Sequence, residues 1–173
     1  MNGARLANET ALASRPNKKL AFKIHSSLID LLIAEGKIKE AQFYINRLPL
    51  KIAKENKTQI LIKFLKTALF DGKIDSSIIM IDKYIMDLTP INIHFNDFME
   101  LQSTLHLHVT DGSESDKEAL RHYLLGEKLL AQNKLSEAVN IYEKVLSIDS
   151  DNHLVKDKIH KINGRSEERR VGK

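Results

Sequence analysis

The chain has 173 residues, 42% of them hydrophobic, which is enough for a packed core in one ordinary domain or in roughly four or five helical repeat units. Seven Gly and three Pro are few for a β fold with many tight turns, and the absence of Cys excludes disulfides, thiolate zinc sites and a cysteine nucleophile. The net charge of +4 lies at the ends, +3 over residues 1–20 and +2 over residues 165–173, and the remaining −1 over residues 21–164 argues against nucleic-acid binding.

The first segment, residues 1–17, has two interpretations. Ala4, Ala7 and Leu12 have the spacing of the second helix of a repeat, which Pro16 would end. The alternative is a flexible N-terminus. A helix here would lack its partner helix, so the chain would be a piece of a longer array, or its first helix would cap the stack.

Targeting and membrane-spanning segments are not predicted. The N-terminus lacks the apolar core of a signal peptide, and the longest apolar runs, residues 31–34 and 78–81, are too short to cross a bilayer. We therefore expect, by default, a cytoplasmic protein with no membrane partner.

Two pairs of helices are predicted next, over residues 19–55 and 56–90. The apolar positions of the first helix recur every three or four residues at Leu20, Ile24, Leu28, Leu31 and Leu32. Gly36 and Gly72 supply the turn residues with positive φ. Ala41 and Ser77 are the small residues expected where the two helices of each pair cross, and 36 positions separate them.

An extra helix is predicted over residues 92–108, followed by an acidic linker over residues 110–116. Ser115 and Glu118 have the spacing of a capping box that starts the next helix. The 61 positions between Ser77 and Ala138 are too many for one repeat, and this insertion accounts for them.

The last pair of helices covers residues 119–152. The small residues Gly126 and Ala138 let the two helices approach, so that Tyr142 and Leu125 are expected to interdigitate. Residues 153–162 predict a capping helix with an apolar inner side and with its lysines, among them Lys158, outward. Residues 163–173 have no apolar pattern and are interpreted as a disordered or artefactual tail.

Residues 119–152 resemble a tetratricopeptide repeat, a helix-turn-helix unit of about 34 residues. The residues that carry the resemblance are Leu125, Gly126, Leu129, Asn133, Ala138, Tyr142, Val145 and Leu146. His122 and Ser150 depart from the pattern, because the family prefers a bulky apolar residue and a proline there. The resemblance implies antiparallel helix-turn-helix repeats stacked as an α-solenoid over residues 18–162, and a protein-interaction scaffold rather than an enzyme.

The histidines are the one group that suggests a metal site. His106 and His108 point about 200° apart on a helix and cannot share a metal ion there, so we interpret them, with His94 and His122, as solvent-facing or helix-end residues. The sequence has no glycine-rich phosphate loop, no Gly-x-Ser-x-Gly motif and no His-Glu-x-x-His motif. We expect no enzymatic activity, no cofactor and no metal.

The tetratricopeptide resemblance assigns ligand binding to the concave face formed by the first helix of each repeat. The peptide-binding residues that it implies, position by position, are Lys23, Ser26, Asp30, Gln59, Ile62, Lys66, Leu120, Tyr123 and Glu127. Family members that clamp the terminal carboxylate of a peptide resemble one another in Lys, Asn and Arg at these positions. Because Ser26, Asp30 and Glu127 stand there instead, we do not expect a clamp for chaperone tails.

These features predict a non-catalytic scaffold that binds a peptide or helical segment of a partner protein in a concave groove, with Tyr123, Ile62 and Lys66 near its centre. One alternative is a regulatory or assembly segment of a larger multi-domain protein. The other is a nucleic-acid-binding helical repeat, which the near-neutral charge of residues 21–164 disfavours. The identity of the partner and the oligomeric state stay open.

Overall fold

The computed structural model describes the backbone of residues 2–171 and the side chains of residues 3–164. Within this range the chain forms helices and no strand, which confirms the all-α prediction. The helices are α1 (Asn2–Ala13), α2 (Lys18–Ala34), α3 (Ile38–Asn46), α4 (Leu50–Glu55), α5 (Lys57–Phe70), α6 (Ile74–Met86), α7 (Phe95–Leu105), a π-helical turn (His106–Thr110), α8 (Glu114–Ala131), α9 (Leu135–Ile148) and α10 (His153–Val171). Every helix described is too short or too polar to span a bilayer.

Several helix boundaries differ from the sequence expectation. The helix expected over residues 92–108 starts at Phe95 and ends in the π-helical turn, and α4 follows Pro49, where no further helix was expected. Proline is compatible with a helix start, because the first N–H groups of a helix have no partner within it. The backbone of α10 stays helical through residues 163–171, although the apolar pattern stops at Ile162; residues 172 and 173 of the predicted tail lie outside the described residues.

One turn geometry recurs three times, after α2, α5 and α8. Gly36 (φ 76°), Gly72 (φ 79°) and Asn133 (φ 58°) adopt the left-handed conformation, as predicted for the two glycines. The lysine after each of them donates its backbone N–H, over 2.9 Å in each case, to a carbonyl of the preceding helix; these pairs are Lys37 with Leu32, Lys73 with Ala68, and Lys134 with Leu129. The turn thereby satisfies a carbonyl that the helix end leaves free.

A small residue lies five positions after each of these left-handed residues. Ala41, Ser77 and Ala138 are all fully buried, with 0% of their surface exposed. The Ser77 hydroxyl donates a hydrogen bond to the carbonyl of Lys73 over 2.8 Å, so its burial leaves no unpaired hydroxyl. The three positions expected to take small residues are therefore all buried.

The chain packs as two units that divide between Ser77 and Ile78. In the first unit, α2 lies against α1 and α3, and α3 also contacts α5. The buried side of α2 consists of Ala21, Ile24, Leu28, Ile29, Leu32 and Ile33. Burying each Leu or Ile fully contributes about 1.5–3 kcal/mol, so this side accounts for a large part of the first core. Gln42 of α3 donates to the Thr67 carbonyl of α5 over 3.1 Å.

In the second unit, α8, α9 and α10 share one apolar core. Its buried members are Ala119, Ala138, Tyr142, Val145, Val155 and Ile162. Helix α7 packs on the last part of α6, where the rings of Phe98 and Tyr84 lie 5.1 Å apart. Beside them, Asp82 accepts a hydrogen bond of 2.6 Å from the side-chain amide of Gln102.

The capping box at the start of α8 lies two residues earlier than expected. Ser113, not Ser115, is the N-cap, and its hydroxyl accepts from the N–H of Asp116 over 3.2 Å, while the Asp116 carboxylate accepts from the N–H of Ser113 over 2.8 Å. The prediction of Ser115 and Glu118 is therefore wrong. Both pairs have the same spacing, but the shorter aspartate side chain forms the box, and the helix starts two residues earlier than expected.

We expect Gly72→Ala to lower the free energy of unfolding by about 1 kcal/mol, because an alanine strains the left-handed conformation. A Cβ there would meet no atom within 4 Å, so the effect is one of backbone conformation alone. Urea unfolding followed by circular dichroism measures it.

The matched control is Gly164→Ala, where a Cβ also meets no atom within 4 Å but the backbone is helical. We expect it to be neutral or to raise the free energy of unfolding by up to about 1 kcal/mol. A loss of stability of equal size in both variants would contradict the turn geometry.

Candidate functional site

The predicted binding residues of the first unit lie on two neighbouring helices. Lys23 and Asp30 belong to α2, whereas Gln59, Ile62 and Lys66 belong to α5. An ion pair of 2.6 Å between the Asp30 carboxylate and the Lys63 ammonium links the two helices. This ion pair places Asp30 beside Lys63, which directly follows Ile62 and lies one helical turn after Gln59.

We call this surface the α2–α5 face. It consists of Lys19, Lys23, Asp30, Gln59, Ile62, Lys63 and Lys66, which lie one or two helical turns apart along α2 and α5, apart from the adjacent Ile62 and Lys63. Lys23, Asp30, Gln59 and Lys66 are exposed, and Ile62 is half-buried. The ammonium of Lys66 lies 5.7 Å from the centre of the Phe70 ring. The face thus offers charged, amide and aliphatic groups to solvent.

Of the predicted residues of the last helix pair, Leu120 is buried (4% exposed) and cannot face a peptide, so that prediction is wrong; Tyr123 and Glu127 have a different environment. Glu127 of α8 accepts a hydrogen bond from the Tyr142 hydroxyl of α9 and forms an ion pair of 2.6 Å with the Lys158 ammonium of α10. The same ammonium lies 5.4 Å from the centre of the Tyr123 ring, and the Tyr123 and Tyr142 rings are 6.2 Å apart. These four residues, the Glu127 cluster, join three helices.

The ionisation of the Glu127 cluster follows from burial and from the carboxylate at its centre. Burial and the hydrogen bond to Glu127 raise the pKa of Tyr142, and burial and the charge of Glu127 raise the pKa of Tyr123. Burial alone would lower the pKa of Lys158, but the hydrogen bond and charge of Glu127, together with Tyr123, raise it above its ordinary value. The protonated tyrosines and the charged lysine are therefore the favoured forms.

Two expectations for this region are wrong. Leu125 does not interdigitate with Tyr142 but is 40% exposed; the Tyr142 ring lies instead against Gly126, where a Cβ would come within 2.8 Å of the ring atom Cδ1. Lys158 does not point outward, since only 24% of its side chain is exposed. One sign of this pairing is visible in the sequence, because Glu127 directly follows Gly126, the small residue expected where the two helices approach.

The histidines form separate polar contacts. His106 bridges Asp82 of α6, 2.9 Å from its Nε2, and the Thr110 hydroxyl, 3.2 Å from its Nδ1. The hydrogen bonds from Gln102 and His106 lower the pKa of Asp82. His94 stands at the N-cap position of α7, where its Nδ1 lies 3.2 Å from the Asp97 carboxylate, and His122 lies 3.6 Å from Glu118. Among residues with described side chains, no three metal-ligating groups come together.

A small cavity in the first unit lies between α1, α2 and α3. Its volume is about 70 Å³, whereas small-molecule sites usually enclose about 300–1,000 Å³. Its lining combines leucines with a charged rim: Arg5, Glu9, Leu12, Leu28, Leu31, Leu32, Glu35 and Tyr44. Reasoning from sequence missed it because three of its eight lining residues come from α1, a segment that the sequence left open between a helix and a flexible end. The cavity has room for water or a small aliphatic group but not for a metabolite.

We expect Glu127→Ala to lower the free energy of unfolding by about 1–3 kcal/mol, because it leaves the Tyr142 hydroxyl and the Lys158 ammonium without their acceptor. Urea unfolding measures the change. Glu137→Ala is the control: its ion pair with Lys134, at 3.6 Å, is exposed and contributes less than about 1 kcal/mol. Equal effects of the two substitutions would show that the Glu127 cluster does not stabilise the fold.

The raised pKa values of Tyr142 and Lys158 predict a loss of stability at alkaline pH. The unfolded chain releases these protons near the ordinary pKa values of 10.0 and 10.5, whereas the folded chain retains them. The contribution to the free energy of unfolding is therefore complete below about pH 10 and is lost above it. We expect Tyr142→Phe to make the decline above about pH 10 shallower. Identical profiles for the wild type and the variant would contradict this assignment.

The comparisons with known proteins give no guidance for these residues. No family model, no curated protein and no solved structure matches the chain. Its function has to be inferred from the contacts, burial and charge of its own residues.

Proposed function

We propose that the chain is a helical-repeat protein of the tetratricopeptide type, which binds a segment of another protein and carries out no chemistry of its own. The recurring turn supports the repeat assignment: a left-handed residue, a lysine that caps the preceding helix and a fully buried small residue. Gly36 and Gly72 are 36 positions apart, close to the family period of about 34 residues. From Gly72 to Asn133 the separation is 61 positions, because α7 is inserted between these two turns.

In this proposal α2 and α5 are the first helices of two successive repeats in an α-solenoid. The contact of α3 with both α2 and α5, and the ion pair between Asp30 and Lys63, support this arrangement. The first helices of stacked repeats line the surface that receives the ligand. The α2–α5 face is therefore the proposed binding surface.

The observation that carries the binding assignment is the exposure of the α2–α5 face. The opposite sides of both helices are buried, as in Leu28 of α2 and Leu65 of α5, whereas Lys23, Gln59 and Lys66 are exposed. Apolar, amide and charged groups side by side are typical of surfaces that bind a peptide, since the apolar part supplies affinity and the polar part orientation. The function proposed for the α2–α5 face is to hold a peptide or helix of a partner.

The last helix pair has another role in this proposal. Glu127 accepts from the Tyr142 hydroxyl and pairs with the Lys158 ammonium, and the Tyr123 ring lies beneath that ammonium. A partner that used Glu127 would have to displace Lys158 and leave it without its carboxylate, which is costly for a half-buried charge. We therefore propose that Tyr123 and Glu127 hold α10 in place and that the first unit contacts the partner.

A random peptide library displayed on phage, selected on the immobilised full chain, tests the proposed function. We expect enriched peptides whose affinity for Gln59→Ala/Ile62→Ala, measured by fluorescence anisotropy, is at least about tenfold weaker than for the wild type. The loss follows from removing the amide and the aliphatic contact at the middle of the α2–α5 face.

The matched control is Asn140→Ala/Leu154→Ala, which removes an amide and an exposed leucine (56% exposed) from α9 and α10. Its affinity should stay within about twofold of the wild type. Circular dichroism establishes that both variants are folded. If no peptide is enriched, or if both variants bind like the wild type, the proposed function is wrong.

A further inference from the structure

The two units carry charges of opposite sign. Residues 1–77 contain fourteen Lys and Arg and seven Asp and Glu, a formal net charge of +7, whereas residues 78–173 contain thirteen and sixteen, a net charge of −3. The near-neutral value over residues 21–164 is therefore the sum of a basic part, +4 over residues 21–77, and an acidic part, −5 over residues 78–164. A net charge of this size concentrated in one unit favours partners of opposite charge.

Most carboxylates of the basic unit are already paired. Glu9 pairs with Arg5, Asp30 with Lys63, Glu35 with Lys37, Glu55 with Lys18, and Asp71 with Lys73, at distances from 2.6 to 3.1 Å. Four of these pairs involve no residue of the α2–α5 face. The fifth, between Asp30 and Lys63, neutralises the only carboxylate of that face. The unit has few carboxylates left to neutralise further lysines.

Lys19, Lys23 and Lys66 remain positive on the α2–α5 face. Among the side chains that the structure describes, no carboxylate lies within 4.0 Å of any of the three ammonium groups. Lys19 and Lys23 are one helical turn apart on α2, and Lys66 is one turn from Ile62 on α5. The surface therefore combines three unpaired ammonium groups with one aliphatic contact.

This composition fits an acidic peptide better than a nucleic acid. The face contains lysines, a glutamine, an aspartate and an isoleucine, but neither an aromatic side chain nor an arginine. Single-stranded nucleic acids are held largely by base stacking on aromatic rings and by arginine contacts. An aliphatic group between lysines instead suits a segment in which carboxylates flank an apolar side chain.

We propose that the α2–α5 face binds an acidic segment of a partner protein, whose carboxylates contact Lys19 and Lys23 on one side and Lys66 on the other, while an apolar side chain packs on Ile62. This assignment of the partner's chemistry rests on the proposed function. Charges of this kind raise the association rate and make the affinity depend on salt. The dissociation constant therefore rises steeply with ionic strength.

The charge of the peptides enriched on the full chain is the test. Peptides selected on the wild type should be net acidic, and the bias should disappear in a parallel selection on Lys23→Glu/Lys66→Glu. For the enriched peptides, replacing Asp and Glu by Asn and Gln, or using this variant, should each weaken binding at least about tenfold. Raising the salt from about 50 to about 500 mM should weaken wild-type binding by a similar factor.

Lys39→Glu/Lys54→Glu is the matched control, because it changes the net charge equally at two exposed lysines of α3 and α4. Its affinity should stay within about threefold of the wild type. An equal loss in both double variants would mean attraction by net charge without a defined face, and the proposal would be wrong.

Two further outcomes would overturn the proposal. If a single-stranded oligouridylate of about 16 nucleotides binds more tightly than the acidic peptides, and loses this binding in Lys23→Glu/Lys66→Glu, the face belongs to a nucleic acid. If the enriched peptides are neutral or basic and indifferent to Lys23→Glu/Lys66→Glu, yet still weakened by Gln59→Ala/Ile62→Ala, the acidic partner is excluded. In that case the protein-binding function itself still stands.

Discussion

The left-handed residue that ends a helix and reverses the chain is the constraint on which the packing of this protein depends. At Gly36 and Gly72 the positive φ favours a residue without Cβ, and at the third turn Asn133 is a residue that tolerates this conformation. The turn reverses the chain, and the fully buried small residue of the next helix follows the left-handed residue by five positions at each of the three turns. Each turn thereby determines which residue must be small.

Local patterns of the sequence predicted much of this arrangement. The all-α class, the turn glycines and the buried Ala41 and Ala138 follow from residue spacing, because the 3.6-residue period and the conformational freedom of glycine act over short distances. The capping box was placed at Ser115 instead of Ser113, since two serines with an acidic residue three positions later satisfy the same pattern. The choice between them depends on how far the helix extends.

Contacts between distant parts of the chain could not be predicted in this way. Lys158 looks like a solvent-facing lysine in its own helix, and only the packing of α10 brings it to Glu127, 31 positions earlier in the chain. The cavity between α1, α2 and α3 depends likewise on an N-terminal segment for which the sequence allowed two conformations. The net charge illustrates the same point. The value for residues 21–164 is near zero, and the positive charge of the first unit becomes evident only when the boundary between the units is known.

The close contact between Gly126 and Tyr142 has a consequence for how this chain can change over evolutionary time. Any side chain at position 126 would occupy the space of the tyrosine ring, and shrinking the ring alone would leave a void and remove the hydroxyl that donates to Glu127. Neither replacement is tolerable as a single step, so the two positions are epistatically coupled. Among descendants of this sequence, glycine at 126 and an aromatic ring at 142 should be inherited, or lost, together.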